Sequence, residues 1–140
     1  MSKLPEPVQE QYPHAKFVAS VQVFIDTEFQ GSSGALSRIG GESYIVLAPN
    51  GIDQIKTKKH LFTVLAHELG HWISAQQESP AATDKRAKFM HMVTGDGRFV
   101  LPAEREAWDW AEKILPDLEQ EHRREALRTY GDTLQHARLI

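Results

Sequence analysis

The sequence predicts an α+β fold: a small antiparallel N-terminal sheet packed on one long helix, followed by two or three further helices. Three observations predict it. Residues 17–29 alternate between apolar and polar positions with period two, and residues 43–48 form a second extended apolar run. Residues 57–77 lack proline and glycine punctuation except at Gly70 and are long enough only for a helix. Beyond Pro80 the chain is rich in helix formers, broken at Gly95, Gly97 and Pro116. At 140 residues this is one domain with room for a core.

Taken in order, residues 1–14 carry Pro5, Pro7 and Pro13 and read as a flexible or extended leader, leaving 15–140 as the single folded domain. Phe17, Ala19, Val21, Val23, Ile25, Thr27 and Phe29 take the odd positions of a half-buried strand, with Asp26 among the polar ones. Residues 31–34 and 40–41 are turns flanking a short strand, and Pro49-Asn50-Gly51 stops the strand at 43–48. Asp53 or Thr57 caps the long helix, which ends near Gln77. A weaker helix spans 82–93, and its Lys85, Arg86 and Lys88 read as a solvated face. Asp96, between glycines, offers too few ligands for calcium and reads as a turn. Pro102 opens another helix that Pro116 ends, and Asp117 caps a last helix reaching about Ala137, which packs on the core by its apolar stripe.

The long helix carries His67-Glu68-Leu69-Gly70-His71, the pattern H-E-x-x-H. Helix positions i and i+4 lie one above the other, so two imidazoles there can bind one ion. The Glu between them cannot ligate on that face but can reach a water held beside it. Catalytic zinc sites use three protein ligands and keep a position for water, whose pKa the ion lowers. Random placement would give the pattern in roughly 3% of such chains, so context decides. Leu61, Phe62, Val64, Leu65, Ala66, Leu69, Trp72 and Ile73 make this helix apolar nearly all round, which predicts burial. Buried His and Glu need partners, and a metal supplies them. The chain has no cysteine, so any zinc must be held by His and carboxylates.

Position 77 is Gln77, where a metzincin would place its third His. A Glu on a second helix is the other common third ligand. Glu104 shares a face with Ala107, Trp108, Ala111 and Leu115, so it points inward; Glu106 lies on a more mixed face and is the second candidate. Asp109 is the nearest acid to steady the ligating imidazoles, while His60, beside Lys58 and Lys59, reads as exposed. His91, His122, Tyr130 and His136 are all available as a second donor to an oxyanion, and the sequence does not choose among them.

Strand, hairpin, H-E-L-G-H helix and the stretch Glu104-Arg105-Glu106-Ala107-Trp108-Asp109-Trp110-Ala111, followed by Ile114-Leu115-Pro116, together resemble the ImmA/IrrE family of small gluzincin metallopeptidases. The resemblance implies a minimal zincin-like domain with one Zn²⁺ on His67, His71 and Glu104 and with Glu68 as the catalytic residue. Family members often cleave a DNA-binding repressor, and many sit in prophages or stress-response loci, so the resemblance adds a transcriptional repressor as a candidate substrate. Two departures stand out: Trp108 replaces the usual Asn, and a chain this short has no room for the helix-turn-helix domain many members carry.

The functional expectation is a zinc metallopeptidase whose Glu68 takes the proton of the attacking water and passes it to the leaving nitrogen. Residues 44–47 are the expected sheet edge for a substrate strand. The competing expectations are a zinc-binding regulatory module without turnover and a zinc hydrolase of non-peptide substrates. A net charge of −3 gives no footprint for direct nucleic-acid binding. No segment has the roughly 20 apolar residues of a membrane span, nor does the N-terminus read as a signal peptide, so the expected location is cytoplasmic.

Overall fold

The computed structural model describes residues 6–11, 16–19, 22–39, 42–51 and 54–131. Its elements are α1 (Glu6–Gln11), β1 (Lys16–Ala19), β2 (Val23–Ile25), β3 (Gly34–Ile39), β4 (Glu42–Leu47), α2 (Lys58–Gln76), α3 (Lys85–Thr94), a 3₁₀ turn (Gly97–Val100), α4 (Leu101–Ile114) and α5 (Gln120–Thr129). The α+β class stands. Part of the expected extended leader is instead the short helix α1. Pro7 is its second residue, where a missing N–H costs nothing.

The four strands lie in the order β1-β2-β4-β3. β3 pairs antiparallel with β4, as expected, and β1 pairs antiparallel with β2. β2 and β4 run parallel, with Val23 opposite Ile45 and Ile25 opposite Leu47, so the sheet is mixed. The chain passes β4's place, forms the edge strand β3, and returns between β3 and β2. The single strand expected over 17–29 is therefore a hairpin. Its turn includes Gln22 at φ 61°. The period-two pattern runs through both arms, which is why periodicity does not reveal the turn. Asp26, expected to face solvent, is fully buried: its Oδ1 accepts from the backbone N–H of Glu28 (2.9 Å) and Phe29 (3.0 Å) and so ends β2.

Side-chain alternation splits the sheet's two faces. Phe24, Tyr44 and Val46 pack with Phe29 and Ala35 on one side. Val23, Ile45 and Leu47 pack with Val64, Leu61, Leu65 and Leu69 of α2 on the other. The far side of α2 gives Ala66 to a second core with Leu101, Trp108, Ala111, Leu118 and Leu127. Helix α2 is thus sandwiched between sheet and helices, though not buried all round: Phe62 is 51% exposed and Trp72 39%.

Capping fixes where α2 begins. Thr57 Oγ1 accepts from His60 N–H at 3.0 Å, a bond that stabilises a helix by about 1 kcal/mol; Asp53 lies outside the described residues. Thr63, fully buried, accepts from Glu119 N–H at 3.1 Å and ties the start of α5 to α2. No side chain caps α5, which ends at Thr129, and residues 132–140 lie outside the described residues. No helix among the described residues is long and apolar enough to cross a membrane.

Candidate metal centre

The closest backbone approach that matters for the site is between α2 and α4. A Cβ on Gly70 would stand 2.0 Å from Ala107 O and 2.9 Å from its carbonyl carbon. Only glycine permits this crossing. Glu104 lies one turn before Ala107 on α4, and His67 and His71 flank Gly70 on α2, so the contact that needs glycine brings the three side chains together.

His67 Nε2 lies 3.0 Å from Glu104 Oε1, and His71 Nε2 lies 3.0 Å from Glu104 Oε2. The two imidazole nitrogens are 3.1 Å apart. One ligand atom from each residue falls within 4.8 Å of the others, so His67, His71 and Glu104 could hold a metal ion. The donor set fits one. Two ring nitrogens facing each other require a proton or a cation between them, and the carboxylate supplies the matching charge. Two imidazoles and a carboxylate also suit zinc. Glu106, the alternative, turns away and accepts from Ser79 Oγ.

Electrostatics bind the three side chains tightly to one another. Burial pushes Glu104 up, but hydrogen bonds from His67 and His71 outweigh it and hold the carboxyl down at about 2. Burial pulls His71 down, yet the hydrogen bond and charge of Glu104, with the charge of Glu68, leave it raised above 6.5. Trp108 stacks on His67 at 4.2 Å with planes 6° apart. Trp108 is therefore the wall against which the His67 ring is packed.

Glu68 stays out of the triad. Its Oε2 is 3.4 Å from His67 Nδ1, and the carboxylate lies under the start of β3, where a Cβ on Gly34 would meet Glu68 Oε2 at 3.3 Å and Val64 Cγ1 at 2.6 Å. Glu68, rather than the expected Asp109, is the acid beside the His67 ring. Asp109 is exposed and paired with Arg123 at 2.7 Å. His60 is not exposed beside its lysines: it is half-buried with its ring 4.6 Å from that of His122. Asp96 caps the 3₁₀ turn and pairs with Arg98, as a turn residue does.

The triad opens into a cleft of about 980 Å³. β3 and the turn before it contribute Ser32 to Leu36, α3 contributes Lys85, Lys88 and His91, and α5 and its end contribute His122 and Tyr130. Three of the four anticipated oxyanion donors thus line the cleft, and His136 lies outside the described residues. Burial, with the charges of Glu104 and Glu68, pushes the Tyr130 phenol up to about 12, so it keeps its proton. No signal marked Lys85 and Lys88 as cleft residues, because the helix that carries them buries no side chain. No family model, curated protein or solved structure matches this chain.

Proposed function

We propose that this protein is a zinc-dependent peptidase of the gluzincin type. The observation that carries the reading is Glu104: from a second helix, its two oxygens reach both histidines of H-E-x-x-H at 3.0 Å, while Glu68 is kept apart. Three protein donors are the complement of a catalytic zinc; a structural one takes four. When bound, the ion supplies Lewis acidity toward a carbonyl and lowers the pKa of a water at neutral pH.

The chain's own residues supply the rest. Glu68, beside the triad, accepts the proton of the attacking water and returns it to the leaving nitrogen. Tyr130, held protonated, donates to the oxygen on which negative charge develops. His67 is steadied by Trp108 and by Glu68 at its Nδ1. For the substrate strand, residues 44–47 are unavailable, since β4 is paired on both sides. Among the described residues, the strand that borders the cleft with an open edge is β3, and an extended peptide adds there by main-chain hydrogen bonds. The family resemblance adds a repressor protein as a substrate to try first.

Elemental analysis of wild type and Glu104→Gln, with peptide turnover on the same samples and on Glu68→Gln, tests the reading. Near-stoichiometric zinc in wild type, reduced in Glu104→Gln, with turnover lost in metal-loaded Glu68→Gln, supports it. Zinc binding with no turnover of any peptide or protein would leave a regulatory metal module instead.

A further inference from the structure

We propose that Lys85 and Lys88 make this cleft select peptides that carry a carboxylate close to the scissile bond. The inference rests on the peptidase reading above and names its substrate class. The two lysines stand three apart on α3, with His91 three further on, so one face of this helix is turned to the cleft. Arg86, on the same helix, is not part of that lining. Among the described residues neither ammonium group has a carboxylate partner. Like charges one turn apart weaken a helix, so the pair carries a local cost.

Counting the charges around the cleft sharpens the point. A divalent ion is balanced by Glu68 and Glu104. Glu125, the remaining acid of the lining, is paired with Arg128 at 2.9 Å. The side formed by β3 and the turn before it contributes Ser32 to Leu36 and no charge. What is left among the described residues of the lining is two uncompensated cations, in a chain whose net charge is −3. A substrate strand on β3 presents alternate side chains to one side. An Asp or Glu side chain there, or the carboxylate at a peptide's own C-terminus, meets the lysines. Ammonium groups act as point charges and suit either source.

The test uses zinc-loaded full-length protein and acetylated, amidated decapeptides in which one Gln is replaced by Glu at successive positions, plus the same Gln peptides with a free C-terminal carboxylate. The expected result is a kcat/KM about fivefold higher for the favoured carboxylate peptide at low salt, the scale of an exposed ion pair. The preference should shrink toward one as salt screens it. Preference among blocked peptides identifies a side-chain carboxylate; preference only for the free terminus identifies a carboxypeptidase-like mode. Lys85→Gln combined with Lys88→Gln should abolish the ratio, Lys88→Glu should invert it toward Lys-containing peptides, and Arg86→Gln should leave it unchanged. Affinity of the same peptides for zinc-loaded Glu68→Gln is measured in parallel. If nothing is hydrolysed, the peptidase reading fails, and these affinities still decide the selectivity. Equal rates and affinities for Glu and Gln peptides, or a preference that survives in the double lysine variant, overturns the proposal.

Discussion

Replacing Gly70 with alanine separates two effects of opposite sign. Helix propensity favours alanine over glycine by about 1 kcal/mol, so an unconstrained helix would gain stability. Here the new Cβ would stand 2.0 Å from Ala107 O, whereas ordinary contact begins at 3.4 Å. The obstacle is backbone and cannot rotate aside, so α4 must withdraw by roughly 1.4 Å, the difference between those distances. Overpacking of this kind costs about 3 kcal/mol at the upper end of its usual range. The clash wins, for a net loss of about 2 kcal/mol and a fall in Tm of roughly 6 °C in a chain of this size. Withdrawal of α4 also draws Glu104 from His67 and His71, and metal–ligand distances tolerate only about 0.2 Å. Zinc affinity should therefore drop about ten- to a hundredfold, as when a positioning partner is lost. Denaturant unfolding with a chelator present and competition against a chromogenic zinc indicator measure the two effects separately. A variant that melts at or above wild type, with zinc affinity within about threefold, would refute the argument that this glycine sets the helix crossing.

Two further outcomes follow from the site. In metal-free protein, Glu104, depressed from 4.5 to about 2, contributes stability above the first value that is lost as pH falls toward the second; His71, raised above 6.5, contributes below 6.5 and loses it as pH rises through its folded pKa. Chelated protein should thus be most stable between about pH 4.5 and 6.5, while zinc affinity should climb above that window as His71 gives up its proton; a denaturation midpoint flat from pH 4 to 8 counts against the coupling. Tyr130→Phe should keep its zinc and lose about a hundredfold in kcat with little change in KM, the scale of one oxyanion donor; a loss confined to KM would reassign Tyr130 to substrate binding.

The helix bearing the histidines was legible because its signals are local: a Thr cap, uninterrupted length and two His one turn apart. Glu104 was legible for a similar reason. Its apolar neighbours at 107, 108 and 111 fixed which side of α4 turns inward, and that reasoning separated it from Glu106. What escaped depends on distant partners. Nothing near Asp26 says that two backbone amides will enclose it, and nothing in 17–29 distinguishes one strand from a hairpin of the same period. The parallel join of β2 and β4 requires knowing that β3 goes to the outside. Asp109 looked well placed to hold an imidazole until Arg123, 14 residues on, took it. Trp108 counted as a departure from a pattern, and only the stack on His67 shows what a flat ring does at that position. Lys85 and Lys88 had every mark of surface residues, and they are exposed; exposure to solvent and exposure to a cleft look alike in a sequence.

Among the described residues one edge of β3 is open, and such an edge has a cost apart from chemistry. An unpaired strand is a template for any extended chain, and proteins commonly blunt such edges because they seed aggregation. This one is six residues long and lies beside Glu68 and the cleft. Covering it with a helix or a further strand would make the protein safer at high concentration and would close the route to the site. A second copy that paired there would stopper the cleft as it joined, so that self-association would by itself close off the candidate site.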